Sequence, residues 1–282
     1  IYGKFSVSRL CTDAGVLDDF IEPAESILTK AFSKLVAVDS RRWIKFLTDI
    51  LPRFSCELAA SLSDFEKRML QMFYITVFQA ADWRSHTTQA NMQLLADSPI
   101  MMHELNELLS FNLERIDFID QPVPLGFDCP LDLHCTYTRD QILIAMDYMT
   151  PKNVREGVKW LPDKQVDVFF ITLNKADKDY SPTTMYNDYS INESLFHWQS
   201  QSTTSDTAST GQRYINHRQR GSKVVLFVRE FKQDSIGAAP YTCLGTAAYV
   251  KHTGSKPMNI TWHLDQPIPA KYLRKTNKLV VG

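Results

Sequence analysis

The chain has 282 residues, of which 44% are hydrophobic and 22% are charged, and its formal net charge is −1. This composition is typical of a globular protein and excludes a disordered chain or a collagen, and the length suits two domains or one large one. The longest apolar runs, such as 224–228, are far shorter than the ~20 residues of a membrane span, and no signal peptide opens the chain. We therefore expect a soluble, cytoplasmic protein. Because the first residue is Ile1 rather than Met, we also expect a fragment of a longer polypeptide.

The motifs of the common cofactor and metal sites are missing from the sequence. Its five cysteines are odd in number and scattered, which indicates reduced thiols, and the separation of Cys129 and Cys135 does not fit a zinc knuckle. There is no glycine-rich phosphate loop, GxSxG elbow or HExxH pair, and the seven histidines fall singly. The sequence therefore predicts no cofactor and no metal, and it argues against ATP hydrolysis or dinucleotide chemistry within this chain.

The first ~120 residues show the apolar spacing of helices. One stripe contains Phe32 and Leu35, and another contains Trp43 and Leu47 and ends at a proline. Ser63 followed by Glu66 predicts a capping box, Ser98-Pro99 predicts a second helix start, and Thr138 to Gln141 predicts another capping box. We predict a helical N-terminal subdomain over residues 1–133.

The pattern changes after a segment with three prolines and a glycine at 121–130. Period-two or continuous apolar runs then predict strands at 166–173, 224–228, 241–250 and 258–264, the last as a half-buried antiparallel strand. The predicted fold class is therefore α+β, with a mainly β, barrel-like domain over 134–282. Its strand pattern invites comparison with PUA-like pseudobarrels, as an analogy only.

Charge is distributed unevenly between these two parts. Residues 1–133 hold 12 basic and 19 acidic side chains, whereas 134–282 hold 19 and 13, so the parts carry −7 and +6. The densest basic stretch, 213–223, has four cations, one histidine and no acid, which is typical of a segment that faces phosphates. The alternative interpretation is a solvated hairpin without a ligand.

Two further segments carry residue types suited to nucleic acid. The connection 173–189 is rich in Asn, Lys, Ser, Thr and Tyr, and Ser181-Pro182 marks a helix start whose N–H groups could meet an anion. In 195–201 an extended backbone places His197, Gln199 and Gln201 on one face and Phe196 with Trp198 on the other. Amides can recognise base edges and aromatic rings can stack on bases. A polar, low-complexity segment, 200–210, follows and predicts a mobile loop.

Other interpretations of these residues stay open. Phe196 and Trp198 could belong to the core, and the amides could bond loop carbonyls. Asp179, Asp188 or Glu193 could act with His197 in a metal-dependent nuclease or a base-modifying hydrolase, although acids in such a run are usually surface charges. The acidic helical half could instead be a docking surface for a helicase core or a partner protein, with no ligand of its own.

A series of short motifs resembles, in order, a bacterial domain of unknown function that is appended to superfamily-2 DEAD/DEAH-type helicases. The motifs span about 137–269 and are Tyr137-Thr-Arg-Asp-Gln141, Arg155-Glu-Gly157, Phe170-Ile-Thr-Leu-Asn-Lys175, Tyr180-Ser-Pro-Thr-Thr-Met-Tyr186, Phe196-His-Trp-Gln-Ser-Gln201, Phe227-Val-Arg-Glu230, Tyr241-Thr-Cys-Leu-Gly245 and Pro257-Met-Asn-Ile-Thr-Trp262. Such proteins often carry a phospholipase-D-like nuclease domain and occur in defence and restriction contexts. The resemblance implies an owner that acts on nucleic acid, with the helical half as the connector to its helicase core, and it supplies no catalytic residue.

Together these patterns predict a non-catalytic module that recognises nucleic acid, with DNA as the first candidate, and that serves a helicase or nuclease. Its partners would be the nucleic acid and the helicase core of the same polypeptide, with no membrane. The observation that would test this prediction most directly is whether Lys175, Arg213 and Arg229 converge on one concave face. The candidate binding residues are Asn174, Lys175, Tyr180, Ser181, Thr183, Tyr186, His197, Trp198, Gln199, Gln201, Arg213, His217, Arg218, Arg220, Lys223 and Arg229.

Overall fold

A computed structural model describes residues 2, 4–82, 88–174 and 188–276. Their contacts divide the chain into two compact units. The helical unit consists of Ile1–Pro122, Asp128–Val154 and Ser235–Pro240, and the sheet unit consists of Val123–Phe127, Arg155–Asp234 and Tyr241–Gly282. Helices lead and a large mixed sheet follows, so the α+β class is confirmed.

The helical unit contains the helices that the apolar spacing predicts. Its helices are α1 (Val7–Asp13), α2 (Glu25–Leu35), α3 (Arg41–Ile50), α4 (Cys56–Ser61), α5 (Asp64–Asp82), α6 (Thr88–Ala96), α7 (Pro99–Glu114) and α8 (Arg139–Ala145). Both predicted capping boxes form: Glu66 N–H donates to Ser63 Oγ at 3.3 Å, and Gln141 N–H donates to Thr138 Oγ1 at 3.3 Å. No described helix is long and apolar enough to cross a bilayer.

The helical unit extends to Val154, whereas the sequence placed the boundary at 133. The reason is α8, which follows the proline-rich segment but packs within the helical unit. Its Gln141 is buried, and Gln141 Nε2 donates to Oγ1 of Thr76 on α5 at 2.8 Å. This contact between distant parts of the chain leaves no trace in local composition.

The sheet unit is built on seven strands in the order β2-β3-β6-β9-β10-β5-β4. β3 and β6 are parallel, and every other neighbouring pair on this path is antiparallel. Because the path ends at β2 and β4, the described strands form an open sheet and do not close into the predicted barrel. The strand bounds are β1 (Thr136–Tyr137, in the helical unit), β2 (Val158–Leu161), β3 (Val166–Thr172), β4 (Tyr189–Ser190), β5 (Leu195–Gln199), β6 (Lys223–Arg229), β7 (Gln233–Asp234), β8 (Gly237–Ala238, in the helical unit), β9 (Tyr241–Thr253) and β10 (Asn259–Leu264).

The core of the sheet unit lies on one face of this sheet, beneath helix α9 (Ser209–Ile215). Trp262 of β10 is fully buried, and Phe169 of β3 packs edge-to-face against it with ring centroids 5.6 Å apart. Tyr214 of α9 packs on both rings, at 5.4 and 6.5 Å. A last helix, α10 (Ala270–Thr276), adds Tyr272 and Leu273 to the margin of this core.

The polar segment 200–210, expected to be a mobile loop, is instead tied into the fold. Thr204 and Ser205 are buried, Lys256 N–H donates to Thr204 O at 3.1 Å, and the last two residues form the start of α9. Its serines and threonines satisfy turn and helix-start backbone groups, which is a common role of hydroxyl side chains.

A single methyl group tests how closely α9 packs on this segment. A Cβ added at Gly211 would lie 2.0 Å from Ser205 O, a backbone atom, and 3.0 Å from Met258 Sδ. We expect Gly211→Ala to lower the free energy of unfolding by about 2 kcal/mol or more, as overpacking does. Urea unfolding measures the effect. Ser209→Ala, at an exposed position of the same helix, is the control and should stay within about 0.5 kcal/mol of the wild type; a Gly211→Ala protein of unchanged stability would contradict the packing.

Candidate nucleic-acid interface

Strand β5 separates its side chains as its sequence predicts. Phe196 and Trp198 are buried in the core, whereas His197 and Gln199 point to the opposite face and are half-buried. Gln199 is further fixed through its main chain, because its N–H donates to Oδ1 of Asp188 at 2.9 Å.

Neighbouring strands extend this face into a surface. β5 pairs with β4 on one side and with β10 on the other, and β10 pairs with β9. Residues opposite each other on paired strands have Cβ atoms about 5 Å apart and share a face. One row across the four strands is therefore Tyr189, His197, Thr261 and Lys251, and the next row is Gln199, Asn259 and Thr253. With His263, which follows Thr261 by two on β10, these eight side chains form what we call the polar face.

The polar face combines three kinds of group. The rings of Tyr189 and His197 stack with centroids 4.8 Å apart and planes 14° apart. Gln199 and Asn259 carry amides, and Lys251 adds an exposed ammonium. Aromatic rings offer stacking surfaces, amides pair with base edges, and ammonium groups meet phosphates, so this set suits a nucleic acid.

Sequence reasoning found only the β5 part of the polar face. The six residues of the polar face outside β5 were not predicted as candidates, namely Tyr189, Lys251, Thr253, Asn259, Thr261 and His263. The strict alternation of β10 shows that 259, 261 and 263 share a face, but their alignment with His197 and Gln199 depends on strand pairing, which the sequence does not display.

Gln201 lies just past β5 and has one side-chain partner within its own loop and one before β2. Its Oε1 accepts a hydrogen bond from Thr204 Oγ1 at 3.3 Å, and its Nε2 lies 3.5 Å from Oε2 of Glu156. This is close to the alternative interpretation, in which the amide holds the loop.

Trp198 is a core residue, so the structure places it away from any stacking surface. Only 5% of it is exposed, and its ring packs against Phe169 at 4.4 Å and Tyr214 at 5.7 Å. The period-two pattern identified the face correctly, and burial explains why this ring is unavailable to a base.

Arg213 is directed into the protein rather than toward a phosphate. Its Nε and Nη2 donate to the two carboxylate oxygens of Asp167 at 2.7 and 2.9 Å, and its guanidinium lies 4.4 Å from the ring centre of Trp160. Asp167 is fully buried on β3. Burial raises the pKa of this carboxyl, and the guanidinium of Arg213 counteracts the effect. Arg213 therefore neutralises a buried charge on the core face of the sheet.

Removal of this guanidinium leaves Asp167 buried without its partner. We expect Arg213→Ala to lower the free energy of unfolding by about 3 to 5 kcal/mol, measured by urea unfolding. Arg220→Ala, which removes an exposed arginine seven residues on, is the matched control and should change stability by about 0.5 kcal/mol at most. A stable Arg213→Ala protein that loses affinity for nucleic acid would instead assign Arg213 to phosphate binding.

His217 is also part of the interior. It is 3% exposed, its Nδ1 lies 3.2 Å from Ser222 O, and its Nε2 accepts a hydrogen bond from Tyr249 N–H at 3.1 Å. Since Nε2 accepts, the proton sits on Nδ1 and points at the carbonyl, so the ring is neutral. Burial lowers the pKa of His217, although the Ser222 carbonyl opposes this.

A lowered pKa makes stability depend on pH. In the unfolded chain this histidine has a pKa of about 6.5, so its contribution is complete above that pH and is lost as the pH falls further, because protonation then favours the unfolded state. Between about pH 7.5 and pH 5, we expect the wild type to lose on the order of 1 kcal/mol more unfolding free energy than His217→Gln. Urea unfolding at the two pH values measures these losses. If the wild type and His217→Gln lose the same unfolding free energy, His217 does not titrate in this range.

The remaining basic candidates lie at separate places in the sheet unit. Arg220 is exposed, Arg218 pairs with Asp265 at 2.8 Å, and Lys223 Nζ donates to Pro124 O. Arg229 lies 4.5 Å from the ring centre of Tyr241, and its Nε donates to Thr172 Oγ1 at 2.9 Å. Arg213 and Arg229 thus have different protein partners.

The connection after β3 is described only at its start. Asn174 is exposed, and its main-chain N–H donates to Glu230 O at 2.8 Å. The other candidates of this connection lie outside the described residues and are Lys175, Tyr180, Ser181, Thr183 and Tyr186.

Of the acids of the hydrolytic alternative, Asp179 lies outside the described residues, and Asp188 and Glu193 belong to no cluster of metal-ligand atoms among the residues that are described. Asp188 is buried and accepts the Gln199 N–H, and Glu193 is exposed. The described residues do bring together ligand atoms of Asp120, Asp132 and Cys135 in the helical unit, within 4.8 Å of one another.

That cluster is held by protein groups. Asp132 accepts Ser40 Oγ at 2.7 Å and pairs with Arg42 Nη2 at 2.7 Å, while Asp120 accepts the N–H groups of Arg41 and Arg42 at the start of α3. A guanidinium thus already supplies the positive charge beside Asp132, so the carboxylates serve the fold.

Comparison with known proteins places the sheet unit in a family. Residues 131–275 match the model of a domain of unknown function, DUF3427. The match covers just over half of the chain, and the chain therefore belongs to this family. It includes α8 as well as the polar face. No curated protein matches the chain.

Proposed function

We propose that this chain is a non-catalytic module that recognises nucleic acid, with DNA as the first candidate, and that the polar face is its contact surface. The observation that carries the proposal is the alignment of a stacked ring pair, two amides and an exposed lysine on one side of β4, β5, β10 and β9. The +6 charge of residues 134–282 adds support, because a positive domain attracts a polyanion.

In this proposal, each kind of group on the polar face contacts a different part of the nucleic acid. Lys251 contacts a phosphate, which holds the nucleic acid without regard to sequence. Gln199 and Asn259 lie opposite each other on paired strands, so one or two adjacent bases can meet both amides. The face of the Tyr189–His197 pair adds stacking, which tolerates any base.

The wider setting of the module is part of the same proposal. The ordered motifs from 137 to 269 resemble a domain appended to bacterial superfamily-2 helicases. This resemblance supports a role as the recognition module of a cytoplasmic helicase or nuclease in defence or restriction. A PUA-like arrangement of the sheet is also part of the proposal, and it rests on the strand pattern alone.

Binding of the full chain to labelled single-stranded DNA, duplex DNA and RNA, followed by fluorescence anisotropy between ~50 and ~200 mM salt, tests the proposal. We expect binding that weakens steeply with salt. Lys251→Ala should reduce affinity for all sequences and lower the log–log salt slope by about one. Gln199→Ala should preserve that slope and reduce discrimination between sequences by about 1 to 3 kcal/mol.

Two controls locate the interface. Lys152→Ala removes an exposed lysine of the helical unit and should bind as the wild type does. Arg220→Ala removes an exposed arginine of the basic stretch, in the turn between α9 and β6. If Arg220→Ala weakens binding and Lys251→Ala does not, the interface is the basic stretch. Absence of binding to every nucleic acid at ~50 mM salt would overturn the function itself.

A further inference from the structure

A cleft of about 710 Å³ opens within the helical unit. Its volume falls in the range of about 300 to 1,000 Å³ that small-molecule sites occupy. One wall is a stripe of α2, since Ser26, Thr29, Lys30, Ser33 and Lys34 follow the i, i+3, i+4, i+7, i+8 spacing of one helix face and all line the cleft. The wall therefore presents the hydroxyls of Ser26 and Thr29 and the ammonium groups of the two lysines as hydrogen-bond donors, whereas the Ser33 hydroxyl donates to Lys30 O at 2.7 Å.

The acids of the cleft are already compensated. Glu25 accepts two hydrogen bonds from Arg9, both at 2.8 Å, and Arg9 also pairs with Asp19. Glu22 accepts the N–H groups of Ile100 and Met101 at 2.8 and 2.9 Å, at the positive N-terminal end of α7. These partners leave the lysines as the source of the remaining positive charge of the lining.

Lys34 lies deepest among these lysines. Its Nζ donates to Oε1 of Gln79 at 2.7 Å, a neutral partner, and the carboxylate of Asp140 acts on it without a hydrogen bond between them. Burial lowers the pKa of Lys34, and Asp140 opposes this only in part. The ammonium is therefore incompletely compensated by protein groups, and an anion beside it would be stabilised.

The backbone at Gln79 is strained where it meets Lys34. Gln79 interrupts α5 with φ 63° and ψ 161°, a conformation that favours glycine and costs on the order of 1 to 3 kcal/mol for other residues. Such strain concentrates at ligand sites. Here it accompanies a side chain that accepts a hydrogen bond from a cleft lysine.

The rim of the cleft is aromatic. Phe5 is 49% exposed and lies next to Lys4, and both line the cleft. An exposed ring beside a donor-rich, positive wall suits a ligand with a planar group and an anionic group.

We propose that this cleft is a binding site for a small phosphorylated ligand of the mononucleotide class. The ammonium groups of Lys30 and Lys34 and the hydroxyls of Ser26 and Thr29 hold the phosphate, and Phe5 stacks on the planar ring. The site is independent of the polar face, because every residue of its lining belongs to the helical unit.

Calorimetric titration of the full chain with AMP, GMP, CMP and TMP in turn, and with inorganic phosphate, tests the site. We expect one mononucleotide per chain. Lys30→Ala and Lys34→Met should each weaken both mononucleotide and phosphate binding about tenfold, as loss of a charge-assisted hydrogen bond does. Phe5→Ala should weaken the mononucleotide several-fold and leave inorganic phosphate unchanged.

Lys45→Ala is the matched control, since Lys45 is an exposed lysine of α3 outside the cleft lining. Lys30 is exposed, so its variant keeps the test valid even if Lys34→Met fails to fold, which circular dichroism will show. The proposal is overturned if none of the five ligands binds at millimolar concentration, or if Lys45→Ala weakens binding as much as Lys30→Ala. Equal loss of mononucleotide and phosphate binding in Phe5→Ala would overturn the stacking role.

Discussion

The parallel pairing of β3 with β6 is the constraint on which the rest of the sheet unit depends. Val166 pairs with Lys223 and Thr172 with Arg229, so the two strands run in the same direction for seven residues. Two parallel neighbours cannot be joined by a tight hairpin, and the chain must return to its starting edge by a crossover. Residues 173–222 make that return. This part of the chain contains β4 and β5, which lie at the far edge of the sheet, and α9, which packs on the core face. Most of the candidate binding residues therefore belong to this crossover.

A buried ion pair connects the crossover to β3, the strand that precedes it. Asp167 lies on β3 and Arg213 lies on α9, and their bidentate pair closes the return of the chain beside Trp160. A buried pair of this kind adds little net stability compared with apolar side chains, but loss of either member leaves a buried charge. Its role is therefore to fix where α9 sits. The pair also divides the basic stretch: Arg213 pairs with Asp167 and His217 is buried, whereas Arg218 and Arg220 are exposed.

Local patterns in the sequence predict the elements well because each depends on neighbouring residues. The capping boxes at Ser63 and Thr138 and the alternation at β10 are complete within a few residues. Partners across the fold are a different matter. Asp167 is the one acid within the apolar run of β3, a signal that it needs a buried cation, but nothing in the chain indicates that Arg213 supplies it. Likewise Lys251 joins the polar face only through the register of β9 with β10, which shifts beside Thr261.

The polar face and the core are made from the same strands, with consequences for specificity. On β10, Trp262 and Ile260 are buried, while Thr261 and Asn259 between them face outward, and β5 repeats the arrangement. Each strand thus supplies stability with one set of side chains and surface chemistry with the other. Substitutions at 197, 199, 259 or 261 can alter what the face contacts without removing an apolar side chain from the core. A sheet of this design can therefore keep one fold while its ligand preference changes.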